Sequence, residues 1–208
     1  MIPIDTLAAF FLASVLLALS PGPDNIFVLT QSALAGKLAG IIVTMGLCTG
    51  LIVHTLAVTF GVAVIFQTSA TAFTVLKIFG AVYLLYLAWQ SFRASATRIT
   101  AGEAGGYEYL KLYQRGIIMN TTNPKVSVFF LAFLPQFADP ERGPLSLQLI
   151  CFGGIFIVAT ILVFGAVALL AGSIREWFYR SDKTQIILNR VAGSVFVALA
   201  VNLLIMKN

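Results

Sequence analysis

Residues 17–31 read LALSPGPDNIFVLTQ, and the fold turns on that stretch. Two prolines, a glycine, an aspartate and an asparagine lie between apolar runs that otherwise form one membrane helix. Proline removes a backbone donor and clashes with the carbonyl four residues back, so Pro21 and Pro23 open the helix near residues 17–20. Non-helical backbone at membrane depth is tolerated only against protein or a water-filled cavity. The break therefore asks for an interior purpose.

The surrounding chain is built for lipid. Of 208 residues, 59% are hydrophobic and 10% charged, and mean hydropathy is +0.96; soluble domains carry about 25% charged residues. The runs Leu38–Leu76, Gly143–Ile174 and Val191–Met206 contain no Asp, Glu, Lys or Arg. A spanning helix needs about 20 apolar residues, and the alternation of a membrane β-barrel is absent. The expected fold is all-α and polytopic, with six transmembrane helices: Thr6–Ala33, Ala39–Phe66, Phe73–Phe92, Gly116–Phe137, Ser146–Gly172 and Ile186–Met206. MIPID has no basic region before the first apolar run, so no cleaved signal is expected. Residues 93–115 are too few and too polar to bury a core and read as a cytoplasmic linker, loosened by Gly105-Gly106.

Lys and Arg set the orientation. The loops after the first, third and fifth helices hold nine (Lys37, Arg93, Arg98, Lys111, Arg115, Arg175, Arg180, Lys183 and Arg190), against three (Lys77, Arg142 and Lys207) on the opposite face. The first face belongs in the cytoplasm and both termini outside. The net charge of +5 is thereby a topology signal that needs no nucleic-acid partner.

The two halves, 1–92 and 116–208, repeat weakly. SPGPDN in the first helix matches TTNPKV in the fourth, so that Pro23 aligns with Pro124 and Asp24 with Lys125. Gly50 and Gly61 lie eleven apart, as do Gly154 and Gly165, and Lys77-Ile78-Phe79-Gly80 matches Arg190-Val191-Ala192-Gly193. The offsets of 101, 104 and 113 rise along the chain, as loop insertions require. A unit of three helices is odd, so its second copy enters the membrane from the other side. Broken helices at matching places in an inverted repeat point to a transporter's midplane site.

A charged side chain at that depth costs several kcal/mol unless paired or solvated. Asp24 and Lys125 are thus either a structural ion pair or part of a site for a zwitterion, with Asp24 taking an ammonium and Lys125 or a half-helix N-terminus a carboxylate. Without substrate the two would neutralise each other. A carboxylate at low dielectric is also the candidate for proton coupling. Ser20, Asn25, Asn120, Thr121, Thr122 and Asn123 would supply neutral donors and acceptors around it.

At these residues the sequence resembles the LysE/RhtB family of bacterial amino-acid exporters: SPGPDN in a broken first helix and TNPK in the fourth, over six spans and nearly the whole chain. The resemblance implies efflux of neutral or basic amino acids across the inner membrane, driven by the proton motive force. Its motif positions fall on Pro21, Gly22, Pro23, Asp24, Asn123, Pro124 and Lys125.

Other intramembrane residues carry smaller expectations. His54, the only histidine, is either a neutral ring bonded between helices or, since the group titrates near 6.5, a second proton-coupling residue. Lys77 and Arg190 would either snorkel to the interface or form gating pairs that swap as the protein alternates. Gly46 and Gly50 form a close-packing face, within the molecule or between copies of a homo-oligomer. Trp89 and Trp177 read as interfacial anchors, and the phenylalanines as lipid-facing bulk. Two rival functions stand beside export. Cys48 and Cys151 occupy near-equivalent places, as in a thiol–disulfide carrier, but neither adjoins the prolines, and both read as inert core thiols. A metal-cation exporter would need clusters of carboxylates, thiolates or imidazoles, which the spans lack. No metal or other cofactor is called for, and the motifs of intramembrane enzymes are absent.

Overall fold

The computed structural model describes residues 2–62, 70–94, 108–179 and 182–205, and among them every regular element is helical. The expected helix ends at Phe66 and Met206, most of the linker including Gly105-Gly106, and the Trp177 side chain lie outside the described set. Eight helices follow in order: α1 Ile4–Leu19, α2 Pro23–Ala35, α3 Lys37–Ala57, α4 Ala70–Arg93, α5 Tyr109–Thr121, α6 Pro124–Val128, α7 Leu145–Tyr179 and α8 Asp182–Ile205. A π-helical turn extends α3 over Val58–Val62, and another extends α6 over Phe129–Phe133 before a 3-10 turn at Leu134–Phe137.

The first expected helix is a bent pair. α1 ends at Leu19 and α2 starts on Pro23, where a missing amide costs nothing, and the two axes differ by 62°. The fourth is bent as well: α5 ends at Thr121, α6 starts on Pro124, and the bend is 49°. α5 begins at Tyr109, seven residues before the expected edge, its first turn closed by a Lys111–Glu108 ion pair at 3.0 Å. α3 and α7 are long and apolar enough to cross a membrane, and each bent pair makes a further span of that kind.

Helix packing explains the glycines. α3 crosses α5 with Gly46 against Gly116: a Cβ on Gly116 would lie 2.6 Å from the Val43 carbonyl, and one on Gly46 would strike the Tyr113 carbonyl. Gly50 does the same at Asn120, where a Cβ would come within 2.7 Å. The G-x-x-x-G face is therefore spent inside the molecule. Small residues let backbones approach where lipid gives helices no hydrophobic reason to associate.

The phenylalanines overturn the lipid-facing expectation. Phe10, Phe129, Phe130, Phe133, Phe152 and Phe196 are all fully buried, whereas Phe60 and Phe79 do face outward. Lipid tails are as apolar as a protein core, so hydrophobicity does not sort these rings inward or outward. They go where the splayed helices leave volume to fill. Phe10 meets Phe129, Phe137 and Phe152 with ring centroids 4.8–5.9 Å apart, within the range favoured by aromatic pairs.

Candidate functional site at the paired helix breaks

The chemistry of the site begins with carbonyls that proline leaves without partners. In an α-helix the Leu17 carbonyl would accept from residue 21, but Pro21 has no N–H. Chain departure at residues 20–22 frees the Ala18 and Ser20 carbonyls too. Side chains replace the missing amides: Lys125 Nζ donates to Leu17 O at 3.3 Å and to Ser20 O at 3.0 Å, and Asn25 Nδ2 donates to Ala18 O at 2.7 Å. A cation at a helix C-terminus is also favoured by the helix dipole. Pro124 has the same effect on Asn120, whose carbonyl is met by Asn123 N–H at 3.0 Å and by His54 Nε2 at 3.1 Å. Because a carbonyl only accepts, His54 carries its proton on Nε2.

Asp24 sits between the breaks, 2% exposed, the one buried carboxylate among the described residues. Asn120 Nδ2 approaches its Oδ2 at 3.4 Å. Asp24 and Lys125 face each other as opposite charges without direct ion-pair contact, and the lysine ammonium bonds instead to the open end of α1. Several buried polar atoms remain without partners here, namely Ser20 Oγ, Asp24 Oδ1, Asn25 Oδ1, Asn120 Oδ1 and Asn123 Nδ2. Each such atom costs about 1–3 kcal/mol. A cluster of them leaves hydrogen-bonding capacity that a polar guest could use.

The space for that guest is nearly shut. A cavity of ≈ 10 Å³ is lined by Leu17, Ala18, Asp24, Asn120, Lys125 and Val126 together with Phe156, Thr160 and Phe164 from α7. That is room for about one water. A larger cleft, ≈ 690 Å³, opens where α1 and α7 begin and α6 and α8 end, reaching from Asp5 down α1 to Leu16. Phenylalanines separate the two: Phe156 lines the cavity, packs on Phe129 at 5.3 Å, and Phe129 packs at 4.8 Å on Phe133, which lines the cleft.

The expected site residues divide. Ser20, Asp24, Asn25, Asn120, Asn123 and Lys125 come together around the breaks. Gly22 joins them by proximity, since a Cβ there would lie 3.0 Å from Lys125 Nζ. Thr121 and Thr122 turn their hydroxyls back to Ile117 and Ile118 O at 2.8 and 2.7 Å, and Thr122 is exposed. Asn123 caps α6, its Oδ1 accepting from Lys125 N at 3.0 Å. Thr160 was missed; its signal is a lone hydroxyl four residues from Phe156 and from Phe164, one stripe of α7. Its Oγ1 is buried without a partner.

His54 is buried, its ring centroid 5.5 Å from that of Phe130. Lys77 is also buried, which corrects the snorkelling expectation; Arg190 is exposed. Trp89 is half exposed and stacks under Arg93 at 4.7 Å. Cys48 is buried but Cys151 is exposed, so only one is a core thiol, and both are free. Among the described residues no three metal-ligating side chains converge.

Against known proteins, a family model described as LysE type translocator matches residues 15–207. The homoserine/homoserine lactone efflux proteins of Salmonella typhimurium and Salmonella typhi are each 36% identical to the chain over 189 residues, 91% of both partners' lengths. An uncharacterized membrane protein of Vibrio cholerae is 30% identical over the same shares. No solved structure matches.

Proposed function

The chain belongs to the LysE type translocator family, a membrane transporter and not an enzyme, and on that premise we propose that it exports small neutral amino acids from the cytoplasm by alternating access coupled to proton entry. The observation that carries the proposal is the cluster of buried, unpartnered polar atoms around Asp24 where the two broken helices meet. Acceptors predominate there, which suits the three N–H donors of an α-ammonium. Homoserine and its lactone, for which the Salmonella relatives are named, share that ammonium, whereas the lactone has no free carboxylate. Leu17, Val126, Phe156 and Phe164 form apolar walls suited to a short side chain, and Lys125 disfavours a basic one.

Alternating access draws support from the closed cavity beside the cleft and from the packing of helices. α3 packs on α7 and α4 on α8, while α3 meets α5 as α7 meets α1; these pairings support a two-fold relation between the three-helix halves. In this layout α4 and α8 are the third and sixth crossings, 24 residues each, residues 93–115 join the repeats, and the Lys and Arg distribution favours both termini outside the bacterial inner membrane. The phenylalanine cluster then closes the outer side, and its opening leads substrate from the Asp24 cavity to the cleft. Asp24, as the buried carboxylate, alternates between proton and substrate ammonium. The metal-cation alternative loses ground because a lysine ammonium occupies the place where a cation would sit.

The test is the profile of amino acids released by cells carrying the wild type, Asp24→Asn, or neither. Release of homoserine or another small neutral amino acid by the wild type alone is expected. Equal release by Asp24→Asn, with both proteins in the membrane, removes the coupling role of Asp24. A flat wild-type profile overturns the export reading.

A further inference from the structure

We propose that the Lys125 ammonium is a tethered stand-in for the substrate's own: the carbonyls of Leu17 and Ser20, beside the Asp24 carboxylate, form a cradle for a primary ammonium, and substrate enters by displacing Lys125. The proposal rests on the export reading for the identity of the displacing ligand, but the cradle stands on its own geometry.

Three observations define it. The acceptors are created by sequence: Pro21 deprives Leu17 O of an amide, and the break exposes Ser20 O, so two carbonyls converge at the end of α1 and both bind Nζ, at 3.3 and 3.0 Å. The third wall is Gly22, where a Cβ would lie 3.0 Å from Nζ and 3.6 Å from Cε. Its φ of −175° is ordinary extended backbone, so what a side chain there would disturb is the seat of the ammonium, not the backbone conformation. Finally, Asp24 Oδ1 is buried and unpartnered, an acceptor within the same cavity lining.

Volume makes the occupancy exclusive. The ≈ 10 Å³ beside Lys125 admits no amino acid while the lysine side chain is in place. An ammonium-bearing substrate and the lysine therefore compete for one position. A lysine held by two carbonyls is suited to such exchange, because the carbonyls keep a cation in either state and are not left bare in an apolar interior, an omission that costs about 1–3 kcal/mol each. The ligand class is a primary ammonium with N–H donors; a quaternary ammonium of equal charge has none to offer.

Emptying the cradle tests this. In purified Lys125→Ala, n-propylammonium is expected to raise the thermal midpoint by about 3 °C or more, tetramethylammonium at equal concentration to leave it unchanged, and wild type to respond to neither. Should Lys125→Ala not fold, Lys125→Ser, whose hydroxyl is too short to reach the Leu17 and Ser20 carbonyls, leaves the cradle empty and carries the same comparison. No rise with n-propylammonium in the folded variant, or an equal rise with tetramethylammonium or in wild type, overturns the cradle. L-homoserine is expected to raise the wild-type midpoint and 2,4-dihydroxybutanoate, which lacks the ammonium, is not; equal effects from both overturn displacement through the ammonium. Rescue by n-propylammonium without amino-acid release from cells sinks the export reading and leaves the cradle. Release without rescue does the reverse.

Discussion

The two helix breaks begin from the same chemistry and end in different states. Each proline orphans the carbonyl four residues before it, and each orphan is taken by a basic side chain from the opposite half of the chain: Leu17 O by Lys125 and Asn120 O by His54. At the second break the repair is mostly local. Asn123 donates its amide to Asn120 O and caps α6 through Oδ1, and the Thr121 and Thr122 hydroxyls bond to Ile117 and Ile118. At the first break a second proline and Gly22 rule out such repair, the bend is wider at 62° against 49°, and the open carbonyls depend on Lys125 and Asn25. A kink stitched by its own neighbours is a fixed joint. A kink held by an ammonium from the other half of the chain is the one we propose as the site.

That contrast is breakable by experiment. The largest effect is expected from Asp24→Asn, which should cut export about 100-fold, equivalent to roughly 3 kcal/mol of lost binding, while His54→Gln, which keeps a donor for Asn120 O, should cut it no more than about 3-fold. Comparable losses in a cell-export assay would erase the distinction between the breaks. Next come the prolines. Pro21→Ala returns an amide to Leu17 O in competition with Lys125 and should lower export about 10-fold; Pro124→Ala returns one to an Asn120 carbonyl already served and should lower it about 2-fold, an energy difference near 1 kcal/mol. The reverse ranking would move the site to the second break. Gly46→Ala meets the Tyr113 carbonyl and should cost about 1–3 kcal/mol of stability, seen as a lower thermal midpoint with export per folded molecule unchanged. A loss of export at unchanged stability would tie the α3–α5 crossing to the transport cycle.

The smallest effect belongs to the turn at Pro140–Arg142, capped by Asp139. The Arg142 guanidinium, 2.7 Å from Asp139 Oδ2, holds that exposed carboxyl below its ordinary value, with help from the Glu141 amide. A depressed carboxylate adds stability at pH values above its unfolded value, about 4, and loses it as pH falls through the folded one. Thermal midpoints of wild type and Arg142→Gln should therefore keep a constant small offset from pH 8 to 6 and converge only in acid. Divergence near neutrality would mean that another group is titrating.

The breaks were readable from sequence because proline acts on its own backbone: Pro21 and Pro124 forecast which carbonyls lose partners whatever surrounds them. The family followed from the same residues. What lay beyond reading was the partner of each orphan. His54 and Asn120 are 66 residues apart and Lys125 and Leu17 108, and no local pattern says which base serves which carbonyl. Charge alone suggested that Asp24 and Lys125 face each other, but not that the lysine's hydrogen bonds go to the carbonyls at the end of α1. Phe10 and its neighbours were misplaced for a different reason: in lipid an aromatic ring has no preferred side, so only the volume left by bent helices decides, and that volume is tertiary. Thr160 escaped because one hydroxyl in an apolar helix looks like tolerance until its Phe156–Phe164 stripe is seen to face Asp24.

The cavity of ≈ 10 Å³ behind its phenylalanine seal also has an electrical consequence. Protons cross membranes along files of hydrogen-bonded water, and a space that holds about one molecule cannot contain a file. In the proposed cycle a form closed in this way would offer protons no continuous file at the Asp24 cavity, so idle copies would not discharge the gradient that is proposed to drive them.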